Sequence, residues 1–227
     1  MFKCETNMVR PVIHWMESLD LTVKSEFITP WGICDLVGLS FNQRNVAHRL
    51  RLGQTEPIGS VTRAALLLKI PDIETHESIT VRRLVRDCAP AISEESVREH
   101  TRRLLEDGFV SCPSGDRLQR LNGWMPLHKR LIAVELKLSR VEEAMRQARN
   151  NLIFADKSYV GLPKDLAVRV AQKKTRWSSF LDAGVGILAV ATRECSIVMP
   201  SRRRSSAAGP DPILRFYCAE KFWRTSG

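Results

Sequence analysis

No run of about 18 apolar residues occurs in the 227-residue chain, so the sequence holds nothing of the length a membrane-spanning helix needs. The N-terminal stretch MFKCETNMVRP has no apolar core of the kind a secretory signal carries. Six cysteines (Cys4, Cys34, Cys88, Cys112, Cys195 and Cys218) are scattered, with no C-x-x-C pair. That spacing argues against a zinc ribbon and against a disulfide framework. There is no internal repeat. These absences lead to the expectation of a cytoplasmic protein with reduced thiols and no membrane partner.

What is present is an ordinary globular composition, 44% hydrophobic and 26% charged, with an unusual balance of sign. Lys and Arg number 35 against 25 Asp and Glu, a net charge of +10. Such an excess favours polyanionic partners, with nucleic acid ahead of acidic membrane surfaces. The length fits one large domain or two small ones.

Taken in order, residues 8–19 space Val12, Ile13, Trp15, Met16 and Leu19 as a helix, with Pro11 in its first turn and Glu17 near its end. Residues 21–28 alternate like a strand. A Thr29-Pro30-Trp31-Gly32 turn follows, then a strand over 33–41 that is apolar almost throughout except for Asp35. Residues 42–59 are polar and basic and end in Pro and Gly, which reads as a boundary. Three helices are then expected, at 60–70 with Ser60 as N-cap, at 79–89 with Thr80 as cap, and at 93–108 with Ser93 as cap and Gly108 closing it. A hairpin over 109–124 turns at Pro113-Ser114-Gly115-Asp116. Three helices and a hairpin is the order of a winged helix-turn-helix. Its recognition helix would offer DNA Arg98, His100, Arg102 and Arg103, and its wing Arg117 and Arg120. The competing reading is a small helical domain whose basic face is merely solvated, or one that dimerises, and winged helices can also bind proteins.

The strand LIAVELKL over 131–138 follows. Glu135 and Lys137, two residues apart, project from one face, while Ile132, Val134, Leu136 and Leu138 fill the other. A helix is expected over 139–156, with Ser139 as N-cap and Glu142 at the capping-box position. Then come a strand over 157–163, one helix over 164–182 ending in the basic QKKTR stretch, whose Lys173, Lys174 and Arg176 would add phosphate contacts to DNA, a strand over 184–190 and a pairing strand within 194–200. Residues 201–212 read as a basic linker and 213–223 as a last helix. The β-α-β-α-β succession points to a mixed or parallel sheet flanked by helices.

With 42–125 set aside, the remaining order of elements, with Asp35 in G-I-C-D (32–35) and Glu135 and Lys137 in E-L-K (135–137), resembles the PD-(D/E)xK nuclease superfamily, the restriction-endonuclease-like fold. The resemblance implies an α/β core of residues 1–44 and 126–200, an inserted winged helix-turn-helix over 58–125, and a linker with a C-terminal helix over 201–227. It implies Asp35 and Glu135 as ligands of Mg2+ or Mn2+, and Lys137 beside the attacked phosphate. It also implies Gln147 as the Gln of a Q-x-x-x-Y-like motif, with Asn151 where an aromatic stands, and Glu17 as an acid from the first helix. The chain departs from the family in the roughly 100 residues that separate Asp35 from Glu135, which requires the winged helix to be an insertion. Taking Asp116 as the first acid avoids the insertion, but Asp116 falls in a Pro-Ser-Gly turn and not on a strand. The implied activity is metal-dependent DNA hydrolysis, with DNA as partner and a homodimer or larger nucleoprotein complex where both strands are cut. The alternatives are a non-catalytic DNA-binding regulator and a subunit of a larger CRISPR-type, defence or recombination assembly.

Overall fold

Runs near 34–39, 131–136, 157–163 and 186–190 are mostly apolar on both faces, so each is suited to an interior strand covered on both sides. A computed structural model, describing residues 2–121, 126–202 and 209–224, shows where they go. In chain order the elements are α1 (Thr6–Glu17), β1 (Thr22–Thr29), β2 (Gly32–Phe41), α2 (Gln43–Arg51), α3 (Val61–Lys69), β3 (Ile79–Thr80) and α4 (Val81–Cys88). They continue as α5 (Glu94–Glu106), β4 (Val110–Ser114), β5 (Arg117–Arg120), β6 (His128–Leu136), α6 (Val141–Asn151) and β7 (Lys157–Pro163). The last are α7 (Lys164–Gln172), α8 (Lys174–Ala183), β8 (Gly186–Val190), β9 (Cys195–Met199) and α9 (Pro212–Arg224). The chain divides into two units: residues 1–41 with 128–215, and residues 42–127 with 216–227.

The first unit is mixed α/β, a six-stranded mixed sheet flanked by helices. Its strand order is β1-β2-β6-β7-β8-β9. β1, β2 and β6 are antiparallel neighbours, β6, β7 and β8 run parallel, and β9 returns antiparallel to β8. Met8, Val12 and Met16 of α1 pack on Ile132, Val134 and Leu136 of β6 and on Tyr159, Leu188 and Val190. Val141, Ala144 and Ala148 of α6, Ala167 and Val170 of α7 and Phe180 of α8 join a second core with Val160, Leu162 and Ile187. Gly161 of β7 stands so close to β6 that a Cβ there would lie 2.6 Å from a Leu136 methyl.

The second unit runs α2-α3-β3-α4-α5-β4-β5, with a three-stranded sheet ordered β3-β5-β4. Ser60, Thr80 and Ser93 accept N–H bonds from Arg63, Arg83 and Ser96 as N-caps of α3, α4 and α5. Gly108, at φ +71°, sits just past the end of α5. α9 contributes Phe216, Cys218, Ala219, Glu220 and Phe222, all buried. Its Glu220 forms an ion pair with Arg49 of α2 and accepts the Ile58 N–H. The Arg49 guanidinium also lies 5.1 Å from the Phe109 ring centroid and 4.8 Å from that of Trp223.

Several expectations change. The polar stretch 42–59 is no plain boundary: it forms α2, capped by Asn42, because Glu220 and two aromatic rings draw Arg49 inside. The last helix is no appendage; from Phe216 on it belongs to the second unit. The single helix expected over 164–182 is two, broken where Lys173 turns extended (φ −81°, ψ 108°). α6 starts after Arg140 and not Ser139, without a side-chain cap bond. α1 begins at Thr6, so Pro11 falls in its interior. The end of the expected hairpin at 122–124 and linker residues 203–208 lie outside the described residues.

Arg49 is fully buried and Glu220 1% exposed, so removing one partner strands a charge. Glu220→Ala is expected to cost about 3–5 kcal/mol in urea unfolding, and the double variant Arg49→Met/Glu220→Leu much less than the sum of the two single changes. Equal costs for single and double variants would mean that the charge pair is not what holds α9.

Candidate active site

Where the β2/β6 ladder ends at Leu36 opposite Val134, the next residues of the two strands are Asp35 and Glu135. Asp35 is out of the β1 ladder too: Ser25 pairs Leu36 and Phe27 pairs Cys34, while Glu26 between them adopts the left-handed region at φ +52°. Freed from strand pairing, Asp35 uses its carboxylate instead and accepts the Leu136 N–H at 2.7 Å. This bond fixes the Asp35 side chain beside the end of β6.

Glu135 is 2% exposed. Its Oε1 accepts a 2.6 Å hydrogen bond from the Asn151 side-chain amide at the end of α6, and its Oε2, also buried, finds no partner among the described residues. Burial first, and the charge of Asp35 second, push its pKa up to about 7. Hydrogen bonds from Asn151 and the Cys34 thiol, and the nearby Lys137, pull the other way without cancelling that rise. Cys34 lies in the same place, its sulfur 3.4 Å from the Asn151 amide nitrogen, and burial with the two carboxylates holds its thiol well above the usual range. Lys137, 7% exposed, reaches Glu5 at 3.5 Å and Asp35 at 3.9 Å. The Glu5 carboxylate also accepts the Leu138 N–H. Two acids thus hold one ammonium at the carboxyl end of β6.

Asp35, Glu135 and Lys137 are therefore brought together. Gln147 stands one turn before Asn151 on α6, half-buried, with its Oε1 unpartnered among the described residues. Glu17 is not brought in. It is exposed at the far end of α1, twelve residues from Glu5, a separation of about 18 Å along a helix. The first-helix acid at this site is Glu5, which no periodicity marks. Asn151 is marked in the sequence by standing four residues after Gln147 on the same helical face, and Cys34 only as a neighbour of Asp35. Asp116 lies in the turn between β4 and β5, in the other unit.

The described residues contain no group of three His, Cys, Asp or Glu that could hold a metal ion. The pair Asp35 and Glu135 nevertheless fits a hard cation. Both are carboxylates, their mutual repulsion raises the pKa of Glu135, and one buried oxygen of Glu135 is left without a donor.

The basic residues expected on DNA are placed less simply. On α5, Arg98 pairs with Glu94, Arg102 with Glu99 and Glu106, and Arg103 with Glu99. His100 is half-buried, and its pKa is lowered by burial and by Arg63. Arg120 pairs with Asp72 and bonds the Leu67 carbonyl, mostly out of solvent. Arg117 is exposed and donates to Ser78. In the first unit Lys173 is exposed and Arg176 pairs with Glu142, while the Lys174 side chain lies outside the described residues.

No family model and no curated protein matches the chain. Among solved structures, a protein of unknown function from Silicibacter pomeroyi is similar over 99% of this chain and 90% of its own, at 10% identity and a TM-score of 0.42.

Glu135 gives the site a pH signature. Its pKa is near 4.5 in the unfolded chain and about 7 when folded. The folded state binds this proton more tightly, so its contribution to stability is complete below about 4.5 and is lost as pH rises through about 7. A gap of that size corresponds to about 3 kcal/mol. Glu135→Gln is expected to match the wild type near pH 4.5 and to exceed its stability by about 2–3 kcal/mol at pH 8. A stability difference independent of pH in denaturant titrations would contradict this account of the burial.

Proposed function

We propose that the first unit is a divalent-metal-dependent DNA nuclease. The observation that carries this reading is the buried, unpartnered Glu135 oxygen beside Asp35, with Lys137 held next to both. The sheet order, with Asp35 on β2 and Glu135 on the adjacent β6, also favours the PD-(D/E)xK resemblance. Asp35 and Glu135 would hold Mg2+ or Mn2+, which when bound polarises a phosphodiester and lowers the pKa of a coordinated water. Lys137 would set its ammonium beside the phosphate oxygens that gain negative charge on attack, held in place by Glu5. Asn151 orients the Glu135 carboxylate, and the unpartnered Gln147 Oε1 is free to accept a hydrogen bond from a water. The order α3-β3-α4-α5-β4-β5 with its β3-β5-β4 sheet favours a winged helix-turn-helix for the second unit.

One observation favours a second reading for that unit. The α5 arginines are all matched by glutamates of the same helix, a pattern that suits docking on a protein partner better than reading a polyanion. On that reading the chain works as a subunit of a larger assembly.

The test is cleavage of plasmid DNA with Mg2+ or Mn2+. Glu135→Ala and Lys137→Ala are each expected to slow it about a hundredfold or more, and Glu17→Ala to leave the rate within about twofold. Tight DNA binding without cleavage under either metal, or undiminished cleavage by Glu135→Ala, would overturn the nuclease reading. Arg102→Ala separates the two readings of the second unit: a DNA-reading α5 loses about tenfold in duplex affinity, whereas a protein-docking α5 loses none.

A further inference from the structure

Away from the carboxylates, two arginines and a histidine of the first unit surround one hollow, and no acid among the described residues pairs with them. Arg10 and His14 are four residues apart on α1 and so share a face of that helix. Arg193 stands in the turn between β8 and β9. Together with Pro11 and Thr192 they line a depression of about 440 Å³. All three side chains are exposed, and among the described residues none has an ion-pair or side-chain hydrogen-bond partner. This sets them apart from Lys164 and Arg176 of the same unit, which Glu194 and Glu142 neutralise. Unmatched positive charge around a concave surface concentrates the potential and draws anions there.

The depression adjoins a second hollow. Thr192 also borders a cavity of about 600 Å³ that opens beyond the carboxyl ends of β6, β7 and β8, lined by Ser139, Lys164, Asp165 and Arg169 among others. Ligands of parallel sheets enter at this end of the strands. Leu138, on its rim, follows Lys137 directly, and its N–H is held by Glu5. A path therefore leads from Lys137, past the strand ends, to Arg193 and α1. Arg10 and His14 lie five and nine residues beyond Glu5, about 8–13 Å along the helix. A nucleic-acid strand rising about 3.4 Å per nucleotide covers that distance in about two to four nucleotides.

We infer that this edge of the first unit is a phosphate track, in which Arg10, His14 and Arg193 hold the backbone of a nucleic-acid strand whose phosphodiester lies at Lys137. The assignment rests on the proposed substrate class and not on cleavage. It belongs to the first unit alone and uses none of the cations of α5 or β5.

Binding is measured on the full chain carrying Glu135→Gln, in metal-free buffer, by fluorescence anisotropy of a short labelled single strand over a salt series. Arg10→Ala/Arg193→Ala is expected to weaken binding about tenfold at low salt. It should also flatten the slope of log affinity against log salt by about 1.4, for two phosphate contacts at about 0.7 each. Arg10→Lys/Arg193→Lys, which keeps the charges, should retain the slope, and Lys129→Ala, an exposed cation elsewhere on the unit, should change neither quantity. An unchanged slope in the alanine pair, an equal loss in Lys129→Ala, or no strand binding at low salt overturns the track. So does displacement by inorganic phosphate far beyond that by chloride at fixed ionic strength, which marks a single-phosphate site. If the strand binds as expected and the wild type never cuts DNA with metal, the nuclease reading falls and the track stands.

Discussion

The antiparallel pairing of β2 with β6 is the contact on which the first unit depends. Leu36–Phe41 meet His128–Val134 although residues 42–127 lie between them. Closing a long loop costs entropy that grows only slowly with its length, and the excursion folds with the later part of α9 into a unit of its own, its ends tied by the Asn42 N–H on the Leu127 carbonyl. With β2 on one side, β6 becomes an interior strand, free to take β7 in parallel on the other. The same pairing gives Asp35 its place, because the ladder stops one residue short of it and its carboxylate takes over the job of a backbone carbonyl at Leu136. Without β2 beside β6, Glu135 would be a buried acid with an amide for company and no second carboxylate.

A charged group on an interior strand costs free energy unless something compensates for the lost water. At the end of β6 the compensation is uneven. Lys137 has two acids within 4 Å, so its burial is well supported. Glu135 has an amide, a thiol and the more distant Lys137 on its side, and its ionised form is still opposed by both burial and the charge of Asp35. A folded chain keeps such an imbalance only where packing on both faces overrides it. Here α1 covers one face and α6 to α8 the other. The tension stays localised on one oxygen, Glu135 Oε2, and the raised pKa of the carboxyl is its direct expression.

The sequence shows most clearly what depends on local pattern. The strands of the first unit stand out as apolar or alternating runs, and the caps Ser60, Thr80 and Ser93 as hydroxyls ahead of helical spacing, since each signal is confined to a few adjacent residues. What it hides depends on distant partners. QRNVAHRLR looks like a linker because its one buried residue is an arginine, and only Glu220, far along the chain, makes that burial tolerable. Glu5 is invisible for a related reason: a lone acid ahead of a helix means nothing until Lys137 is packed next to it. Glu17 suits the site only if α1 starts late and its last turn faces the strand ends, whereas the helix begins at Thr6 and brings its first turn there.

The arginines of α5 carry a different lesson, about counting cations without their neighbours. Glu94 to Arg98, Glu99 to Arg103 and Arg102 to Glu106 are spaced i,i+4, a spacing legible in the residue order itself. Within Glu94–Glu106 three arginines face four glutamates, so the helix contributes a charge of about −1 with His100 neutral. The chain's net +10 must therefore reside elsewhere. Long-range attraction follows the uncompensated charge, whereas exposed pairs on one helix mostly stabilise that helix by a few tenths of a kcal/mol each. Attraction of a polyanion would then come less from α5 than from surfaces such as the α1 edge, where Arg10 and Arg193 stand unmatched among the described residues. That separation makes sense chemically if the second unit selects a partner while the first holds the strand it acts on.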